Sequence, residues 1–315
     1  MNNRMRVRMI WFLVVGVAVL VLVGCGGSGG TDNPVEPQAV AKIAFGRLVG
    51  SGWHVFLMGP LGANQIDLTP GTFSNCDPAW SPDHRQIVFT SNRKTYFEVY
   101  IMDANGLNLR RVTFNGVQEE ASYASPAWSP DGTKIVAART AGFLVAHLYM
   151  FHPDGTHMTQ LTTGPHADEN PTWLPDGSGI LFDSDRQGGR QIFAINTNGL
   201  NLRRLTFTGT VNQYPSCAPE VARVVYTSNR GGDSRLWTMK PDGTDAHVVP
   251  NTGGTHGLAQ PSWGPGGTAI VYRASAATTS SPNRICRINA DGTGRTVLTP
   301  SASNDEWPAW GRVPS

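Results

Sequence analysis

A motif of the form x-Pro-x-Trp-x-Pro-Asp-Gly returns along this chain, and its return constrains the fold more than any other feature. The strings DPAWSPDH (77–84), SPAWSPDG (125–132), NPTWLPDG (170–177), YPSCAPEV (214–221), QPSWGPGG (260–267) and WPAWGR (307–312) align. Their central residues are Trp80, Trp128, Trp173, Cys217, Trp263 and Trp310, with 44 to 48 residues from one to the next. A period of that length marks a repeat architecture, in which each unit buries its apolar face only against its neighbours.

The segments between these motifs read as strands. After each turn comes an alternating run, IVFTSNR (87–93), IVAAR (135–139), ILFDSDR (180–186), VVYTSNR (224–230) or IVYRA (270–274). A third run follows, then a turn such as DANG, HPDG or NTNG, then a fourth ending in RRVT, TQLT, RRLT, HVVP or TVLT. Short β-rich runs bounded by Asp-Gly and Asn-Gly are consecutive hairpins, so each unit is a four-stranded blade. The first unit has runs at 43–47, 54–58 and 65–69 but lacks the Trp-bearing strand, which stands at the far end as EWPAWGR (306–312). The fold expected over 41–315 is therefore an all-β, six-bladed β-propeller, closed by the C-terminal strand completing the first blade, which removes exposed sheet edges.

The amino terminus belongs to processing. Arg4, Arg6 and Arg8 precede a 14-residue apolar run, Ile10 to Val23, shorter than the about 20 residues a membrane-spanning helix needs. The run ends in Leu22-Val23-Gly24-Cys25, which resembles the lipobox of bacterial lipoproteins. That resemblance implies a signal peptide over 1–24, a lipidated Cys25 leading a flexible tether over 25–40, and an extracytoplasmic domain held to a membrane through Cys25. By the sorting rule of such lipoproteins, Gly26 after the Cys suggests periplasm or outer membrane if the cell has one, and otherwise the cell surface. Without residues 1–24 the chain carries a net charge of −1, which provides no phosphate-neutralising field and excludes nucleic acid as a partner.

The repeat itself resembles the TolB-type, WD-repeat-like β-propeller repeat over residues 41 to 312. P-x-W-S-P-D-G, I-x-F-x-S-x-R and D-G-x-x-x-x-x-L-T recur in order. The sequence departs from it where Cys217 replaces the Trp, Glu220-Val221 the Asp-Gly, and His84 the Gly. The resemblance implies a fold more than a role.

Trp80, Trp128, Trp173, Trp263 and Trp310 sit once per blade at one strand position, so packing between blades is their expected work. The Pro-Asp-Gly aspartates are turn formers. In a propeller the blade-joining loops and the loops from second to third strand share one face. Those loops place Glu119, Glu120, Asp168, Glu169, Asp305 and Glu306 there, with Asp77 entering an inner strand, and Arg93, Arg186 and Arg230 nearby. Two readings stand: the arginines pair with the acids and hold blades together, or the mixed-charge rim binds a peptide or glycan. His166 with Asp168 and Glu169 is the nearest approach to a metal or acid–base cluster, although no ligand-pair spacing is visible. No catalytic residue and no cofactor are expected. The expected partner is an envelope protein or polysaccharide, bound at the loop-rich face by a scaffold without catalysis. The alternative is a metal-assisted polysaccharide lyase or hydrolase using the channel mouth, since oligogalacturonate lyases have similar repeats.

Overall fold

The computed structural model describes residues 40–114, 120–142, 144–218, 220–252, 257–275, 282–300 and 302–313. The signal peptide, Cys25 and the tether lie outside them. The described strands, numbered in chain order, form six antiparallel sheets of four. Blade one consists of β1 (Val40–Val49), β2 (Gly52–Met58) and β3 (Ile66–Asp67), with β24 (Asp305–Val313) as its inner strand in the order β24-β1-β2-β3. Ile43 stands opposite Trp310 and Arg47 opposite Asp305. The ring closes as the displaced motif implied. The remaining inner strands are β4 (Asn75–Trp80), β8 (Ala121–Trp128), β12 (Asp168–Trp173), β16 (Asn212–Cys217) and β20 (Leu258–Trp263).

Inner strands run from the loop-rich face to the face of tight turns, and the second strand of each blade runs back. Val40 therefore lies on the tight-turn face, paired with Val313.

The core lies between blades rather than within them. Val88, Val99 and Ile101 of blade two pack with Tyr123, Ile135 and Phe151 of blade three. Ile43, Phe45 and Met58 of blade one pack with Val271, Ile285 and Leu298 of blade six. Alternation puts one face of each sheet against each neighbour, which is why the strands are apolar on both sides. Trp173 joins the cluster of the preceding blade, and its Nε1 donates to the Ala127 carbonyl at 3.1 Å. Trp80 repeats the contact onto Ala309 O at 3.1 Å. The five tryptophans also line a funnel of about 510 Å³ on the tight-turn face, where Cys217 and Glu220 interrupt the ring. Cys76, Cys217 and Cys286 are free thiols, and burial pushes Cys217 up to about 12.

Two repeated residues have local jobs. Turn aspartates Asp131, Asp154, Asp176, Asp242 and Asp291 accept the backbone N–H two residues on, at 2.9–3.0 Å. The Thr of each Leu-Thr or Val-Thr ending clamps the third strand: Thr69, Thr113, Thr162, Thr206 and Thr299 accept N–H groups of Val55, Val99, Leu148, Ile192 and Ile285 at 2.9–3.0 Å. Thr162→Val keeps the shape and strips the acceptor from a buried N–H. Urea unfolding should show a loss of ~1–3 kcal/mol, and an unchanged midpoint would refute the clamp.

Candidate binding site at the channel mouth

Each inner strand breaks its ladder at the same place. The bulged residue has φ between 49° and 56° and is followed by proline: Asp77, Ser125, Asn170, Tyr214, Gln260 and Trp307. A bulge bends the strand and re-aims a side chain. Here the six residues and their prolines line a cavity of about 180 Å³ on the axis of the ring. The backbone repeats while the side chains differ at every blade, so the cavity wall is asymmetric.

Hydrogen bonds tie the ring together across blades. The Ser125 N–H donates to Asp77 Oδ2 at 3.1 Å, and Ser125 Oγ donates to Asn170 Oδ1 at 3.1 Å. Asn170 Nδ2 and the Tyr214 N–H both donate to Asp183 Oδ2, at 2.8 and 3.0 Å. Across the ring, the Trp307 N–H donates to Gln260 Oε1 at 2.9 Å, and Gln260 Nε2 donates to Glu306 Oε2 at 3.2 Å. Asn283 Nδ2 reaches the other Glu306 oxygen at 2.8 Å.

The mouth is electronegative. Burial pushes the Asp77 carboxyl up to about 6, against the lowering effect of the Ser125 N–H, and Glu306 raises it further. Among the described residues no cationic side chain pairs with Asp77. Burial also pushes Asp183 up to about 6 despite Arg190, whose Nη1 lies 2.7 Å away. Arg190 reaches Glu169 as well, at 2.6 Å.

The residues expected at the rim separate into two groups. Asp77 and Glu306 are at the channel, and Glu120 and Glu169 lie on the same face. Asp168 and Asp305 are fully buried beneath it. Arg47 binds Asp305 through Nε at 2.7 Å and Arg186 binds Asp168, each within one blade, joining the first strand to the second rather than blade to blade. Arg93 donates to Asn75 Oδ1 at 2.8 Å and lies 5.1 Å from the Tyr100 ring, while Arg230 lies 4.8 Å from the Trp237 ring. Among the described residues neither pairs with an acid. Glu119 lies outside the described residues. His166, Asp168 and Glu169 do not converge: His166 faces Asp185 at 3.6 Å, Asp168 faces Arg186 and His147, and Glu169 faces Arg190. Among the described residues no group of three His, Cys, Asp or Glu could hold a metal ion.

Five of the six ring residues escaped sequence reasoning. The signal was present, as the residue before Pro in every motif. A residue before proline is ordinarily extended, and an extended strand would not have drawn attention to that position.

A closed ring of six four-stranded blades around a polar, asymmetric channel mouth defines a β-propeller. The profile of the TolB beta propeller domain matches residues 118–314, and the chain belongs to that family. The Tol-Pal system protein TolB of Anaeromyxobacter dehalogenans (strain 2CP-C) is 31% identical over 144 residues, covering 44% of this chain and 31% of that protein. The match thus spans about a third of the length of that relative. The crystal structure of TolB from Acinetobacter baumannii superposes with a TM-score of 0.73 at 19% identity, over 86% of this chain and 66% of that one. An oligogalacturonate lyase in complex with manganese superposes less well, at a TM-score of 0.58 and 15% identity over 81% and 73%. These two likenesses speak to the fold alone.

Proposed function

We propose that this protein is a lipid-anchored, extracytoplasmic scaffold that binds an envelope protein at its loop-rich face, a segment of the partner entering the channel mouth. The observation that carries it is the contrast between the sixfold backbone and the six different side chains at the pre-proline bulges. The fold requires a bulge and a proline at each; it does not require Asp, Ser, Asn, Tyr, Gln and Trp in turn. Such a wall offers one orientation to a ligand, with Tyr214 and Trp307 as aromatic anchors of the kind that dominate binding energy and with carboxylates that attract donors or cations.

The same face carries exposed Phe114 and Phe207. The guanidinium of Arg111 lies 4.6 Å from the first ring, and that of Arg204 lies 5.2 Å from the second. The fold gains little from them there, whereas a partner covering the face would bury them. The Tol-Pal designation of the Anaeromyxobacter relative makes an envelope protein the favoured class over a polymer.

The test is an envelope pull-down with crosslinking and mass spectrometry, comparing the wild-type chain with a Tyr214→Ala/Trp307→Ala/Glu306→Gln variant. A partner recovered by the wild type should fall by at least tenfold in the variant, which corresponds to about 1.4 kcal/mol. Equal recovery would remove the channel mouth from the interaction. The competing reading, a metal-assisted polysaccharide lyase or hydrolase, has the fold likeness to a manganese-bound lyase in its favour. It needs His and carboxylate ligands converging at the mouth, and manganese-dependent cleavage of oligogalacturonate by the purified protein would establish it.

A further inference from the structure

We infer that the tight-turn face, opposite the partner face, docks on a lipid bilayer through Leu61, Leu107 and Leu200. These residues occupy the outer hairpins of blades one, two and four. They are among the most exposed apolar side chains of the described residues, at 75%, 62% and 62%.

The turns do not need them. In blades three, five and six the corresponding hairpins read Asp-Gly-Thr, and Thr156, Thr244 and Thr293 donate their hydroxyls to Asp154, Asp242 and Asp291 at 2.6–2.7 Å. Blades two and four read Asn-Gly-Leu instead. There Asn105 and Asn198 close the turn by accepting the Leu107 and Leu200 N–H groups at 3.0 and 3.1 Å. A bonded hydroxyl has been exchanged for an apolar side chain in water. The segments 105–114 (NGLNLRRVTF) and 198–207 (NGLNLRRLTF) are identical at nine of ten positions and share one pattern of exposure. The exchange therefore occurs twice in the same form. Blade one reaches a similar end differently, presenting Leu61 in Gly59-Pro60-Leu61-Gly62.

What covers these leucines is indicated by where the chain enters. Val40 lies on this same face, opposite Val313, and fourteen residues separate it from Cys25, at most about 50 Å of fully extended chain. The inference rests on the anchor reading: a bilayer holding Cys25 is within reach of this face. Leucines on protruding turns partition into the acyl boundary by burying apolar area. Asp242 and Asp291 keep the tips of blades five and six polar, so the footprint is the half of the disk running from blade one to blade four, with the Asp154 turn of blade three lying between the leucines. Docked in this way, the disk turns its channel mouth away from the membrane. Because apolar area drives the contact, it should persist at high salt and on zwitterionic lipid.

The test uses the full lipidated chain on phosphatidylethanolamine/phosphatidylglycerol vesicles, with an environment-sensitive fluorophore on Leu107→Cys or, as a control, on Phe207→Cys of the opposite face. Cys76 and Cys286 are buried and burial holds the native thiols protonated, so labelling is selective. Emission at position 107 should rise several-fold on vesicles and be quenched by bromolipid, with position 207 unchanged. Adding Leu61→Ser and Leu200→Ser should lower the rise, and Leu61→Met with Leu200→Met should keep it. A chain that floats with vesicles while position 107 stays solvent-like overturns the docking and leaves the anchor intact. A chain that does not float overturns the anchor reading and the docking with it. Emission already high without lipid would instead assign the face to a protein contact.

Discussion

A chain ending at Asn304 is expected to lose cooperative folding altogether. It would lack β24, the inner strand of blade one, which pairs with β1 from Val40↔Val313 to Arg47↔Asp305. Removing it deletes Trp310 from the interface with blade six and takes away the Ala309 carbonyl that satisfies Trp80. It also leaves Arg47 without Asp305. Losing the partly buried Trp310 costs up to ~3–5 kcal/mol, and breaking the Arg47–Asp305 pair, buried at its carboxylate, costs a similar ~3–5 kcal/mol. Against a total stability of ~5–15 kcal/mol, the sum removes most or all of the margin before the lost strand ladder is counted. The opened ring would further expose the edges of β1 and of blade six's inner face, inviting aggregation. Circular dichroism and urea titration read the outcome directly. A peptide of residues 305–313 added in trans should restore a transition, whereas a truncated chain that unfolds like the wild type would show that closure is dispensable.

The second large effect concerns two carboxyls that respond alike to burial and differ in what surrounds them. Burial raises the folded Asp183 carboxyl to about 6 even with Arg190 beside it, so Asp183→Asn is expected to gain less stability at pH 7.5 than Asp77→Asn, because it strands a cation. Arg190 stays behind half-buried with only the partly exposed Glu169, and Asn170 and Tyr214 lose a charged acceptor. Asp77→Asn should stabilise by ~1–2 kcal/mol, because no cation is left behind and the amide oxygen still accepts the Ser125 N–H. Since burial raises the folded Asp77 carboxyl to about 6 from 3.8, its ionisation works against the fold. The penalty is absent below about pH 4, grows between pH 4 and 6, and is complete above 6. The advantage of Asp77→Asn should follow that window in denaturation measured from pH 4 to 8. A destabilised Asp77→Asn at pH 7.5, or an Asp183→Asn more stable than Asp77→Asn, would reverse the assignment of which carboxylate is paired.

Blade number, strand order and closure could be read without coordinates, because a closed repeat writes its period into the chain. Trp at one strand position, Asp-Gly or Asn-Gly at the turns and Thr at the outer-strand ends are local requirements repeated in most blades. The acids of the loop-rich face were legible as a set, since loops between blades must emerge there. Their separate roles were not. Asp168 and Asp305 look like Glu169 and Glu306 in one dimension, each acid next to acid at the start of an inner strand. Alternation in the strand turns the first of each pair into the sheet's buried side to meet Arg186 or Arg47, and the second toward the channel region.

The axial ring was hidden for a related reason. Asp77, Ser125, Asn170, Tyr214, Gln260 and Trp307 share nothing as side chains, and proline after each argues locally for extended backbone. Only the closure of six blades gathers them around one axis, where a bulge in each strand turns them inward. The number of blades, the inter-blade core and the strand that closes the ring are written in the repeat, because they depend on residues that recur. Which residues face the axis, which carboxylates are paired and which face receives the chain at Val40 emerge only when the six blades are assembled. The axial ring and the entry face depend on contacts between residues about 46 or more positions apart, and the pairs Asp183–Arg190 and Asp168–Arg186, only 7 and 18 positions apart, depend on which side of the sheet each acid faces.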